Sequence, residues 1–158
     1  SRVGRGSRFS LILPALDGVA PQARHEFVAA KETQTRALDI LVVDNDPRIV
    51  EASLALLSRL GHRAHGAADI DTALATCGGI DALLADYQLD NGEDGLTLIE
   101  QVRALRPGLP SVLITAESSP AIRQRAAEMG IDIRSKPVSS SVITEFLARA
   151  SVPQVDPE

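Results

Sequence analysis

Three short aliphatic runs of this chain, and a fourth, more polar one, end on residues that can handle a phosphate. Ile40–Val43 is closed by Asp44-Asn45-Asp46, and Ile80–Ala85 by Asp86. Ser111–Thr115 ends in a hydroxyl, and Ile131–Ser135 runs into Lys136-Pro137. Carboxylates placed directly after aliphatic runs are costly unless something compensates them. Brought together they repel, and a hard cation that keeps several waters, Mg²⁺, would join them through few protein oxygens. An ammonium and a hydroxyl beside such an ion suit phosphoryl oxygens, which need both charge and hydrogen bonds. The residue types therefore point to metal-assisted phosphoryl transfer to or from a carboxylate.

For these residues to meet, the runs must be neighbouring strands of one sheet. The intervening segments supply helices. Asp46-Pro47 gives an N-cap followed by proline, Val50, Leu54, Leu57 and Leu60 follow at helical spacing, and Gly61 ends the stretch. His62–Ala67 reads as a second strand and Asp69–Cys77 as a short helix. Leu96, Ile99, Val102 and Leu105 mark a third helix, Ser119-Pro120 opens a fourth that runs to about Gly130, and Val142, Phe146 and Leu147 line a last one ending near Ser151. The polar stretch Tyr87–Gly95 is a loop. This alternation predicts an α/β fold, (βα)5, with a doubly wound five-stranded parallel sheet. Ligands of such sheets bind outside the carboxyl ends of the strands, where the four runs end.

Charge divides the chain. Residues 1–38 hold six basic against three acidic side chains, whereas residues 39–158 hold ten against eighteen, so +3 is followed by −8. The 158 residues suit one domain with flanking segments. Aromatics number three Phe, one Tyr and no Trp, which with the acidic balance argues against a nucleic-acid partner. The single cysteine, Cys77, excludes an intrachain disulfide framework and fits a reducing, cytoplasmic setting. No apolar run approaches the roughly 20 residues of a membrane span, so no membrane contact is expected of these residues.

Residues 39–150 resemble the receiver domain of two-component response regulators. The resemblance rests on Val42-Val43-Asp44-Asn45-Asp46-Pro47, Leu84-Ala85-Asp86, Asp94-Gly95-Leu96, Leu113-Ile114-Thr115-Ala116 and Ser135-Lys136-Pro137. It implies the flavodoxin-like receiver fold, with Asp86 taking a phosphoryl group from a phosphohistidine. It implies that Asp44, Asn45, Asp86 and the backbone carbonyl of Gln88 hold Mg²⁺. Lys136 and Thr115 would contact the phosphoryl oxygens, and Gln88 and Glu117 would tune dephosphorylation. The implied partners are a histidine kinase domain or a histidine phosphotransfer protein, with a homodimer left open. The sequence departs from the family at Asn45, where a second acid is usual and whose loss should weaken Mg²⁺ binding. It departs at Ile133, a switch position that often carries Tyr or Phe, and at Asp90, often proline, in a loop one residue longer.

Gly4-Arg5-Gly6-Ser7-Arg8-Phe9 with Leu13-Pro14 resembles the end of a histidine-kinase ATP-binding domain. The expected organisation is thus a remnant of that domain at 1–16, a linker at 17–38, the receiver at 39–151 and a tail at 152–158. The parent chain implied is a hybrid histidine kinase, and the fragment lacks a complete ATP site. Asp46 reads as a helix cap in preference to a metal ligand, and the acidic loop Asp90–Asp94 as a solvated one bordering the site. His62 and His65 read as edge-strand residues without a nearby acid in sequence. Two rival functions stand beside the phosphoacceptor. One is a receiver-fold interaction module that works without phosphorylation. The other, less favoured, is a haloacid-dehalogenase-like phosphatase, which would leave Asp86 without a role.

Overall fold

The computed structural model describes residues 36–116 and 119–151. The kinase-like remnant at 1–16, nearly all of the linker, the tail and Glu117 lie outside the described residues. Five strands and five helices alternate: β1 (Asp39–Val43), α1 (Pro47–Arg59), β2 (Arg63–Ala67), α2 (Ile70–Thr76), β3 (Ala82–Asp86), α3 (Gly95–Leu105), β4 (Ser111–Thr115), α4 (Pro120–Glu128), β5 (Asp132–Ser135) and α5 (Ser140–Ala150). All strand pairs are parallel, in the order β2-β1-β3-β4-β5. The chain leaves β1 toward β2 on one side and reaches β3 on the other. That reversal opens a crevice at the carboxyl ends of β1 and β3.

Each central strand is apolar on both faces because each face meets a helical layer. Leu41, Val43, Leu83, Ala85 and Leu113 point to a core completed by Ile70 and Ala73 of α2, Leu96, Ile99 and Val102 of α3, and Ala126 of α4. Ile40, Val42, Ala82, Leu84 and Val112 point to the other, completed by Leu57 of α1 and by Ile143, Phe146 and Leu147 of α5. The period of two along the strands sorts residues between two cores, not between core and water. All of β3 is buried. Edge strand β2 is mostly exposed, and its His65 lies 3.7 Å from Asp39 on the neighbouring strand, an acid that sequence distance had hidden.

Helix starts follow the cap residues. Asp46, Asp69, Asp94 and Ser119 each accept a hydrogen bond from a backbone N–H in the first turn. α1 ends at Arg59, and Gly61, just past its cap Leu60, has a φ of +86° that suits a residue without Cβ. Most boundaries lie within a residue or two of the sequence reading, with β2 starting at Arg63 and β5 at Asp132 instead of one residue earlier. α2 stops at Thr76 and continues as a 3₁₀ turn, Cys77–Gly79, whose carbonyls at Cys77 and Gly78 accept from Arg106 together with that of Ile80. Held this way, Ile80 precedes the strand, and β3 begins two residues later at Ala82.

The start of α3 lies directly on the end of β3. A Cβ at Gly95 would sit 2.2 Å from the carbonyl oxygen of Asp86 and 2.9 Å from Leu113 Cδ1. We therefore expect Gly95→Ala to lower the unfolding free energy by about 1–3 kcal/mol, the usual cost of overpacking. Denaturant titration checks this, and an unchanged midpoint would mean that the backbone there yields without cost.

Candidate functional site

Parallel strands in register bring four chemically capable residues to one end of the sheet. Asp86 is the last residue of β3, paired with Ile114, and Thr115 is the last of β4, paired with Ser135. Asp44 follows β1 directly, and Lys136 follows β5 directly, its N–H donating to the Thr115 carbonyl at 2.8 Å. The Lys136–Pro137 peptide is cis. Asp44 and Asp86 are only 4% and 7% exposed, and Thr115 is buried with them.

Lys136 joins the two carboxylates. Its Nζ lies 2.9 Å from Asp44 Oδ2 and 3.1 Å from Asp86 Oδ1. The other Asp44 oxygen accepts from the Asp46 N–H at 2.9 Å. Burial pushes the Asp86 carboxyl above its usual range, and Asp44 adds to this while Lys136 opposes it. Burial alone would lower the Lys136 ammonium, but hydrogen bonds to Asp44 and Asp86 hold it above its usual value. One ammonium between two buried carboxylates leaves one negative charge in excess. A hard divalent ion fits that excess and the all-oxygen donors around it.

The other expected ligands sit at the rim. Asn45 is exposed, and its Nδ2 donates to Asp90 Oδ1 at 2.7 Å. Gln88, two residues beyond Asp86, forms an antiparallel bridge with Asp94 across the base of the following loop. Asp46 caps α1 and is clasped by Arg48, whose Nε and Nη2 lie 3.0 and 2.8 Å from its oxygens. That clasp and the Arg48 N–H hold the Asp46 carboxyl down at about 2, so the capping role is the one it fills. Ile133 is half-buried on β5 beside Leu113 and packs against the core under α3 and α4.

Two features were not anticipated. Arg125 of α4 reaches Asp94 at 2.9 Å and the Thr97 hydroxyl at 3.0 Å, tying α4 to the first turn of α3. Burial alone would raise the Asp94 carboxyl, but the Thr97 N–H and Arg125 hold it below its usual value. Beside the carboxylates, a groove of about 810 Å³ runs between α1 and the start of α5, floored by Val42, Leu84 and Ile114. The apolar faces of α1 and α5 signal burial in the sequence, but not that they stand apart over the sheet.

The burden on Asp86 predicts a stability effect with a definite pH dependence. Its folded carboxyl titrates above the unfolded value of about 3.8, so the wild type is not handicapped below that value and carries the full handicap above the folded one. Asp86→Asn should therefore raise the unfolding free energy at pH 7, with the gain vanishing toward pH 3. Urea unfolding at the two pH values tests this; a loss at pH 7, or an equal gain at both, would contradict it.

The model of the response regulator receiver domain family matches residues 40–148. The sensor histidine kinase RcsC of Salmonella typhimurium is 36% identical over 112 residues, 69% of this chain and 12% of that protein. The DNA-binding transcriptional regulator NtrC of Azospirillum brasilense is 30% identical over 117 residues, 72% of this chain and 24% of the relative. The chain thus spans a small part of these curated relatives. Among solved structures, a CheY-like receiver domain protein from Methanospirillum hungatei superposes with a TM-score of 0.66 at 26% identity, covering 72% of this chain and 96% of that one. The receiver domain of an HD domain-containing protein from Pseudomonas fluorescens does so with 0.66 at 27%, covering 73% and 94%. Strand order, site and sequence agree, and the chain belongs to the response regulator receiver domain family.

Proposed function

We propose that this domain is a phosphoacceptor in which Asp86 takes a phosphoryl group from a phosphohistidine. The observation that carries this reading is the buried Asp44–Lys136–Asp86 constellation at the mouth of the crevice. A carboxylate oxygen of Asp86 attacks phosphorus, the P–N bond breaks, and the imidazole leaves with the electron pair and takes up a proton. Lys136 then turns from bridging two carboxylates to pairing with the phosphoryl oxygens, which replace the lost carboxylate charge. Thr115, at the end of the adjacent strand, is placed to hydrogen-bond one of those oxygens. Asp44, Asn45, Asp86 and the Gln88 carbonyl would hold Mg²⁺, which when bound neutralises charge on the transferring group.

The donor must bring its imidazole to a carboxylate that is 7% exposed, through a mouth shared with the groove along α1. A helix carrying a phosphohistidine meets both demands, its histidine over Asp86 and its apolar side against Ile49 and Leu56. The partner is thus a histidine kinase domain or a histidine phosphotransfer protein. Gln88 and Glu117 are assigned to tuning hydrolysis of the acyl phosphate. With Ile133 at the switch position, no aromatic ring follows the Thr115 hydroxyl, so the surface read by partners would change less or differently than in receivers with Tyr or Phe there. No helix among the described residues is long and apolar enough to cross a membrane. The reading places the domain in the cytoplasm, where kinase and phosphotransfer partners reside.

Incubation with Mg²⁺ and a small phosphodonor such as acetyl phosphate should add the mass of one phosphoryl group to the intact protein. Asp86→Asn should add none, and Lys136→Ala should be slowed at least tenfold. An unmodified wild type, or equal labelling of Asp86→Asn, would favour the phosphorylation-independent interaction module. Phosphatase turnover that persists in Asp86→Asn would instead favour the haloacid-dehalogenase-like alternative.

A further inference from the structure

We propose that Asp90 is a positioning residue for the cation site: its carboxylate orients the Asn45 amide so that the amide oxygen serves the ion, and its charge stands in for the acid absent at position 45. This rests on the phosphoacceptor reading and assigns a role to a residue outside its reacting groups.

The contact is Asn45 Nδ2 to Asp90 Oδ1, at 2.7 Å, between residues 45 apart in the chain. An ionised carboxylate can only accept, so the nitrogen end of the amide must face Asp90 and the oxygen end must face elsewhere. The choice between the two amide orientations is thereby made by charge. Outer partners of this kind commonly set the orientation and strength of a metal ligand.

Asp90 is not on a loose tether. Leu89 beside it is 7% exposed and packs into the core, and its N–H donates to the Glu93 carbonyl at 3.3 Å. Asp90 opens the turn Asp90–Gly92, its carbonyl accepting from the Glu93 N–H at 3.2 Å. Below the turn, Gln88 bridges Asp94, and the Gly95 N–H donates to the Tyr87 carbonyl at 2.9 Å. The loop is closed at its base within two residues of the nucleophile, and it carries Asp90 across to the β1–α1 loop.

Four other nearby acids are already engaged. Asp44 and Asp86 share Lys136, and Asp46 is held by Arg48 and by its cap bond. Asp94 caps α3 and pairs with Arg125. Among the described residues no three acids converge closely enough to ligate one ion together. Asp90 therefore acts through Asn45 and not as a third direct carboxylate ligand.

The test is a magnesium titration of the intact chain without phosphodonor, read by calorimetry and by Tyr87 fluorescence, the chain's single tyrosine and free of tryptophan background. Four proteins are compared: wild type, Asp90→Ala, Asn45→Asp and the double variant, each first shown folded by circular dichroism. Asp90→Ala should weaken Mg²⁺ binding at least threefold, and roughly tenfold if the second-sphere effect is typical. In the Asn45→Asp background the same change should cost less or tighten binding, because two carboxylates at hydrogen-bond distance repel. A loss below threefold in the wild-type background, or an equal loss in both backgrounds, overturns the inference and leaves the phosphoacceptor reading intact. A wild type that binds no Mg²⁺ overturns both.

Discussion

Two carboxylates withdrawn from water share one ammonium, and the rest of this fold is organised so that they can. Asp44, Asp86 and Lys136 come from three different strand ends, β1, β3 and β5. Their meeting within 2.9 and 3.1 Å needs every intervening strand pair in register, since a one-residue slip would turn a side chain to the other face of the sheet. The aliphatic strands fix that register by burying both faces. The helices cover both cores, and the two carboxylates beside them are only 4% and 7% exposed. What remains is a local excess of negative charge that is uncomfortable in the resting protein, and the proposed cation and phosphoryl chemistry would draw on that discomfort. Stability is given up at the site and recovered in the two cores.

The same geometry explains how much could be read from the sequence. Strand and helix types, caps and order were legible because apolar runs, Asp-Pro and Ser-Pro starts and glycine stops act within a few residues of one another. The convergence of Asp44, Asp86, Thr115 and Lys136 was legible too, because in a parallel sheet the strand ends must assemble. The unread parts were polar contacts between residues distant in sequence. Asn45 with Asp90, Asp94 with Arg125 and Asp39 with His65 join charged or polar residues 26 to 45 positions apart, and nothing in local pattern couples them. Asp90 looked like one of several solvated acids. Its partner distinguishes it. The end of α2 was misjudged for the same reason, since Arg106, far along the chain, collects the carbonyls that turn it.

The two helical layers are unequal in what they leave open. On the α2–α3–α4 side, Leu96, Leu98, Ile99 and Val102 are fully buried and Gly95 touches the backbone of Asp86. On the α1–α5 side, a groove reaches down to the sheet beside the carboxylates. Tight packing holds Asp86 still on one side, and open packing leaves it approachable on the other.

The Arg125–Asp94 clasp bears on how such domains can be recombined. It joins the capping residue of α3 to the last turn of α4, so these two helices are not independent cassettes. A chimera that takes α4 from another receiver would strand Asp94, a partly buried acid, without its counter-charge unless the incoming helix also brought a cation to that height. A workable splice point therefore lies before Asp94 or after Gly130, and the segment between them behaves as one unit of inheritance.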